Sequence, residues 1–218
     1  MNILCVIDSL GPGGAQRQLV ELGLGFREKG NSVSFLVYHN ILFFNKILEN
    51  KGISITCIEE TNYVRRIFKM RRFIRTGGYD AVLSFLEGSN FICEIAGLPY
   101  RRWRLVVGER SSNPEIKTSL RLRMYRWFHL FADYIVANSH ANLKLVRSAN
   151  FLLQQSRCKV IYNLVDFDKW NSQYDAPIHN GKKLKIVIGS NHTYPKNSNG
   201  LIEALALMKK EELEKISV

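Results

Sequence analysis

Hydrophobic and polar positions along this chain follow two periods, one suited to strands and one to helices. The run Asn2-Ile3-Leu4-Cys5-Val6-Ile7-Asp8 is apolar throughout and bounded by polar residues, which predicts a strand buried on both faces. Ser9-Leu10-Gly11-Pro12-Gly13-Gly14 interrupts it as a glycine-rich loop. From Ala15 to Lys29 the apolar positions return at helical spacing, and Gly30 ends them. Ser32–Tyr38 predicts a second strand, Ile41–Lys51 an apolar helix closed by Gly52, and Ile53–Ile58, alternating at period two, a third strand. Tyr63–Arg75 is a basic amphipathic helix stopped by Gly77-Gly78. Asp80–Phe85 is a fourth strand, Gly88–Gly97 a short apolar helix, and Arg104–Val107 a fifth strand followed by the loop Glu109–Pro114. A second basic, aromatic helix spans Ser119–Phe131, then a sixth strand Tyr134–Ala137. Ser139 is placed to cap the next helix, and Lys159–Tyr162 is a seventh strand.

Such regular alternation predicts an α/β fold: a Rossmann-like, doubly wound parallel sheet covered by helices on both faces. Ligands of these sheets sit beyond the carboxyl ends of the strands. The residues to examine are therefore Ser9, Gly13, Gly14, Glu87, Arg110, Asn138 and Asn163. After Trp170 the pattern changes. Residues 171–183 are polar, with Pro177, Asn180 and Gly181, and read as a linker between a domain over 1–170 and a new unit over 184–218. That unit offers a strand at Leu184–Gly189 and a helix at Asn199–Lys210 with Leu201, Leu205 and Met208 on one side. So short a segment cannot bury a core of its own, and it reads as the first βα unit of a second Rossmann-like domain.

Composition sharpens this picture in three ways. With 46% hydrophobic residues the chain can bury a core, yet no apolar run reaches the roughly eighteen residues that cross a bilayer. The N-terminus enters a strand pattern without the basic region of a signal peptide. Cys5, Cys57, Cys93 and Cys158 stand apart with no C-x-x-C pair, as reduced core residues of a cytoplasmic protein do. Charge is the third point. The net charge is +12, and Thr61–Leu130 alone holds 14 Lys or Arg against 5 Asp or Glu. Such a patch suits nucleic acid, an anionic membrane or a phosphorylated substrate; no RNA-binding signature accompanies it, which argues against nucleic acid.

The basic helices favour the membrane. Ile67, Met70 and Ile74 form a stripe flanked by Arg65, Arg66, Arg71 and Arg72, and Arg121 and Arg123 stand among aromatic residues in the later helix. The competing reading packs those stripes on the sheet and leaves the arginines in water. His39, His129, His140, His179 and His192 show no metal spacing; His129, in its aromatic helix, reads as packing. The loop at Gly11–Gln16 is a poor dinucleotide fingerprint, with Gln16 at the third glycine position and Tyr38-His39 where a ribose-binding acid belongs. It fits either a phosphate-binding backbone or a tight turn.

Four stretches in order carry a resemblance. Gly13-Gly14-Ala15-Gln16-Arg17 follows a first strand; Ala132–Ser139 ends a strand in Asn-Ser; Lys159-Val160-Ile161-Tyr162-Asn163-Leu164-Val165-Asp166 precedes the polar stretch; and Ile186–Gly189 leads to Pro195-Lys196-Asn197 and Leu201-Ile202-Glu203-Ala204. Together they resemble the N-terminal half and the opening of the second domain of family 4 retaining glycosyltransferases, which have the GT-B fold. The resemblance implies retaining transfer of a hexose from a nucleotide-diphosphate sugar to a glycan or lipid-linked acceptor, with no metal or other cofactor. It implies backbone and cationic contacts to the donor diphosphate from Gly13, Gly14 and Lys196, the last doubling as a solvated lysine in the alternative reading. Asn191 stands where many members place a phosphate-binding Arg, and Leu164 where they have Gly. Arg110 matches a position facing sugar and acceptor, though a structural pair with Glu109 fits equally. Glu87 suits an acceptor hydroxyl or simply a helix N-terminus. Ser9, Asn138, Asn163 and Asp166 fall on the acceptor side or the interdomain crossing. The resemblance places the family's Glu-(x)7-Glu donor motif further along than these 218 residues, which alone are therefore expected to turn over poorly. A cytoplasmic location, peripheral to the inner face of the plasma membrane, suits a lipid-linked acceptor. A non-catalytic acceptor- or membrane-binding module acting with another chain is the alternative.

Overall fold

The computed structural model describes residues 1–111, 113–165, 167, 184–187 and 197–217. The chain divides into two compact units, Met1–Val165 and Asp166–Val218. In the first, β1 (Asn2–Val6), β2 (Ser32–Val37), β3 (Ser54–Cys57), β4 (Ala81–Phe85), β5 (Arg104–Glu109), β6 (Tyr134–Ala137) and β7 (Cys158–Val160) form one sheet in the order β3-β2-β1-β4-β5-β6-β7. Every neighbouring pair is parallel. The connecting helices are α1 (Gly14–Glu28), α2 (Asn45–Glu49), α3 (Tyr63–Thr76), α4 (Glu87–Gly97), α5 (Leu120–Phe128) and α6 (His140–Ala149). The expected doubly wound sheet is thus the fold. The order runs outward from β1 to β3, then resumes at β4 on the other side of β1, so the topological switch point lies between β1 and β4.

Each face of the sheet carries a buried core, because side chains alternate along each strand and helices pack on both sides. In β1, Ile3 and Cys5, with Ile7 just beyond, join Leu19, Val33, Phe35, Val37 and Leu48 in one core. Leu4 and Val6 join Leu36, Met70, Ile74, Val82, Ile92, Leu105 and Val107 in the other. Each fully buried Leu or Ile contributes about 1.5–3 kcal/mol to folding.

Several element boundaries differ from the sequence pattern. The expected helix at Ile41–Lys51 shrinks to Asn45–Glu49. Its first residues are instead tied to the glycine loop: Leu10 N–H donates to Ile41 O at 2.9 Å, and Phe44 N–H to Leu10 O at 3.1 Å. The helix expected over Ser119–Phe131 ends at Phe128, and His129–Phe131 tighten into a 3₁₀ turn. The seventh strand starts one residue earlier and ends two residues earlier than expected, at Cys158–Val160. In the second unit β8 (Leu184–Lys185) pairs in parallel with β9 (Ile216–Ser217), a strand with no visible sequence signal. The expected helix there becomes α7 (Ser198–Ala206) and a short α8 (Lys210–Leu213). The linker over 171–183 lies outside the described residues.

The stripe Ile67, Met70, Ile74 packs inward, with Met70 and Ile74 buried in the core. This corrects the expectation that it faces a membrane: an apolar stripe on a crossover helix is what the sheet needs covered. Two of the flanking arginines are likewise structural. Arg71 donates to Ile95 O at 2.6 Å and Ala96 O at 3.0 Å, where α4 ends in unpaired carbonyls. Arg66 donates twice to Glu60 O and lies over the Tyr38 ring. Arg65, Arg72, Arg121 and Arg123 are exposed.

Candidate functional site

A cavity of about 350 Å³ opens at the carboxyl ends of β1, β2, β4 and β5, beside the switch point. Asp8, Tyr38, Leu86, Glu87, Arg110 and Arg126 contribute to its lining. Asp8, Tyr38, Leu86, Glu87 and Arg110 arrive there as the residues that follow β1, β2, β4 and β5, and Arg126 arrives from α5. Asp8 accepts from Ser9 N–H at 2.7 Å and from Gln16 Nε2 at 3.0 Å. Its carboxylate thus braces the glycine loop while facing the cavity.

That loop is less open than its composition suggests. Gly13 adopts an ordinary extended conformation (φ −98°) at the N-terminus of α1, and a Cβ there would run into the Gln16 side chain. Gly13 therefore makes room for Gln16 to fold back onto Asp8. Gly14 faces open space, with nothing within 4 Å of a Cβ placed there. The amides of Gly14, Ala15 and Gln16 form the first turn of α1, which has no intrahelical acceptors for its N–H groups. Ser9 is buried, and its hydroxyl accepts from Gly11 N–H at 3.4 Å, inside the turn rather than in the cavity.

At the end of β4 the backbone turns sharply. Leu86 has φ 73° and ψ 150°, a region that suits glycine and costs a branched residue about 1–3 kcal/mol. The turn delivers Glu87 as the first residue of α4. Its Oε1 accepts from Arg126 Nη2 at 2.7 Å. Arg126 is fully buried, and the same Nη2 donates to Glu109 Oε2 at 2.9 Å. Glu109 Oε1 meets His129 Nε2 at 2.9 Å, and His129 Nδ1 meets Glu94 Oε1 at 2.6 Å. Five ionisable residues thus run in line from the core beneath α4 to the cavity.

The electrostatics of this line follow from burial and pairing. Burial opposes charge on His129, but Glu94 and Glu109 on either side outweigh it and raise its pKa to about 9. Burial likewise works against the Glu109 carboxylate, and His129 and Arg126 more than offset it, holding Glu109 below its ordinary value. Glu94 is raised, chiefly by burial; its Oε2 has no hydrogen-bond partner. The expectation that His129 is a packing residue is therefore corrected: two carboxylates enclose it.

Arg110 does not pair with Glu109, whose carboxylate points inward to Arg126 and His129. The Arg110 guanidinium lies over the Phe85 ring, 4.2 Å from its centroid. Gly108 is needed here, since a Cβ at that position would strike the same ring. Burial lowers the Arg110 pKa, and its Nε has no partner. Asn138 holds this corner: its Nδ2 donates to Arg110 O at 3.2 Å, and its Oδ1 accepts from Asn142. Asn163 is exposed. Beside it, the Leu164 backbone exchanges two hydrogen bonds with the buried Gln18 side chain on α1, at 2.6 and 2.8 Å. Asp166, Asn191, His192 and Lys196 lie outside the described residues. So the structure brings together Glu87 and Arg110, with Gly13 and Gly14 on the neighbouring β1 loop. Asp8, Arg126, Glu109, His129 and Gln18 were not foreseen as site residues. Asp8 had a signal, as the polar end of an apolar strand; Glu109 stood in the loop after the fifth strand as a structural partner for Arg110, Arg126 and His129 in the second basic, aromatic helix, and Gln18 in the first helix.

Among the described residues no cluster of three or more His, Cys, Asp or Glu is placed to hold a metal ion. No helix among them is long and apolar enough to cross a membrane.

Comparison with known proteins places this geometry. The profile of Glycosyltransferase Family 4 matches residues 12–169. The chain belongs to that family. Its first unit is the N-terminal, Rossmann-like half of a GT-B glycosyltransferase. A Campylobacter jejuni α-1,4-N-acetyl-D-galactosaminyltransferase, named for its action on a diNAcBac-PP-undecaprenol-linked disaccharide, is 27% identical over 143 residues. That match covers 61% of this glycosyltransferase-family chain and 39% of the relative. Among solved structures, Anabaena HepE in complex with UDP aligns with TM-score 0.72 at 21% identity, over 97% of this chain and 59% of that one. Acinetobacter baumannii MurG aligns with TM-score 0.55 at 15% identity, over 96% and 56%. The lipopolysaccharide outer core galactosyltransferase WaaB aligns with TM-score 0.59 at 12% identity, over 77% and 47%. The chain therefore spans well under two thirds of each of these proteins.

Proposed function

We propose that this chain forms the acceptor-binding side of an enzyme that transfers a hexose from a nucleotide-diphosphate sugar to a hydroxyl of a glycan or lipid-linked saccharide. The transfer retains anomeric configuration and uses no metal. The cavity at the β1/β4 switch point, in a chain of family 4, is the observation that carries this reading. Asp8 and Glu87 offer carboxylate oxygens to sugar hydroxyls. Arg110 offers guanidinium donors toward the reacting sugar and the charge that leaves with the diphosphate. By the family resemblance alone, contacts to that diphosphate are assigned to Gly13, Gly14, Asn191 and Lys196. Ser9, Asn138 and Asn163 shape the acceptor side. The Campylobacter relative's undecaprenol-linked substrate and the UDP in the HepE crystals support a lipid-linked acceptor and a uridine donor.

Titration of the chain with a short-chain polyprenyl-diphosphate N-acetylgalactosaminide, followed by amide NMR, tests the acceptor assignment. Saturable shifts at Glu87, Gly88 and Arg110 are expected, with about tenfold weaker binding in Arg110→Ala, the loss of one charge-assisted contact. An unresponsive cavity would withdraw the assignment.

A lipid-linked acceptor calls for a membrane surface, and one patch suits it. Leu120, Met124, Trp127, Phe151 and Leu152 are exposed, Trp127 and Phe151 stack edge-on at 5.9 Å, and Arg121 and Arg123 stand among them. Aromatic and basic residues in this mixture favour an anionic interface. This peripheral location at the cytoplasmic face predicts a blue shift of Trp127 emission on phosphatidylglycerol vesicles. Trp127→Ser is expected to weaken co-sedimentation more than Arg65→Glu/Arg72→Glu on α3; the reverse order would move the surface to α3.

A further inference from the structure

Resting on the acceptor reading of the cavity, we infer that Arg126 is a positioning residue, which with the turn at Leu86 locks the Glu87 carboxylate in one orientation toward the acceptor hydroxyl. Three independent features converge on Glu87. The backbone before it is held at φ 73° on a leucine, a conformation that persists only where its surroundings enforce it. Its carboxylate is seized on one oxygen only: Arg126 takes Oε1 at 2.7 Å, while Glu87 itself remains partly exposed, its side chain 32% accessible. The clamp, by contrast, is 1% accessible and is itself held from behind by Glu109 at 2.9 Å. A buried guanidinium paired to a buried carboxylate already has a counter-ion, so packing alone does not require the second, outward bond to Glu87.

The supports of Arg126 have the same directional character. Its carbonyl accepts from the buried Asn150 Nδ2 at 2.8 Å. Glu109, which follows the apolar Leu105 and Val107 at the same alternation, is fixed on its other oxygen by His129, and His129 by Glu94. Every member of the line except Glu87 lies inside the protein. Planar guanidinium geometry fixes the direction of its bonds as an ammonium does not. Side chains on a site are held to catalytic tolerance by such second contacts. Arg126 thus acts on the acceptor through Glu87.

The experiment uses the chain labelled with [13C]glutamate, with the Glu87 resonances assigned by their absence in Glu87→Gln. In the wild type the two Glu87 Hγ protons are expected at well-separated shifts, as for a side chain held in one rotamer. In Arg126→Lys they are expected to converge. The same samples are titrated with methyl α-N-acetylgalactosaminide, and dissociation constants are expected about fivefold or more weaker in both Arg126→Lys and Glu87→Gln. The double variant is expected to match the single ones, because both act on one contact. Thermal midpoints confirm that each variant is folded; Glu87→Gln, at the accessible end, keeps the comparison readable if Arg126→Lys unfolds. Converged Hγ shifts in the wild type, equal affinity in Arg126→Lys, or multiplicative losses in the double variant each overturn the inference. A locked Glu87 with no sugar response in any sample instead overturns the acceptor reading, and leaves the clamp a purely structural one.

Discussion

The two faces of the sheet are built on the same alternation and end differently. On the α1/α2 side the core is apolar from Ile3 through Phe35 to Phe85. On the α3/α4/α5 side it begins the same way, with Leu4, Val82, Leu105 and Val107, but the next residue of that register is Glu109, and behind it lie His129, Glu94 and Arg126. The difference is instructive. Apolar burial stabilises without direction, since any well-filled packing will do. Buried charge costs desolvation and is tolerated only when every partner is oriented. The charged face is thus the one that carries geometric information, and it carries it to the cavity.

Breaking that face should cost the most. Arg126→Met leaves Glu87 without its cation and the buried Glu109 with His129 alone, and a loss of about 3–5 kcal/mol is expected from urea unfolding, the penalty of a broken buried pair. On the apolar face, Leu48→Ala should cost about 2–5 kcal/mol, from lost burial and the cavity left behind, with no change in sugar binding by the folded protein. A third measurement separates the faces by pH. His129 is raised from 6.5 to about 9, so its stabilisation is complete below pH 6.5 and is lost as pH rises through 9. Glu94, raised by burial above 4.5, also loses stabilisation with rising pH; Glu109, held low, loses it only in acid. The urea midpoint should therefore fall between pH 6.5 and 9, and His129→Gln should flatten that slope while Leu48→Ala preserves it. The smallest effect is expected at the outer end of the line. Glu87→Gln breaks a partly exposed pair and should cost no more than about 1 kcal/mol in stability.

Much of the fold was legible in the residue pattern because both signals are local. The apolar run at Ile3–Ile7, the glycine stops at Gly30, Gly52 and Gly77, and the alternation of strands with helices each specify an element from neighbours in sequence. The misplacements arose where a distant partner intervened. Leu10 captures Ile41 and Phe44, and so shortens α2. Met70 and Ile74 look like one side of an interfacial helix until the sheet supplies their burial. Arg71 looks solvated until the end of α4 supplies carbonyls.

The candidate site divides along the same line. Glu87 and Arg110 were visible as polar residues just past β4 and β5, because parallel topology sends strand ends to one edge. The order of residues therefore determined the sheet, its ligand-binding edge and the family. It did not determine which charges pair. Arg126 meets Glu87 across 39 positions and Glu109 across 17, and His129 meets Glu94 across 35. No periodicity spans such separations. Only the tertiary structure brings these groups within hydrogen-bond distance, and only there does removal from water make their pairing obligatory.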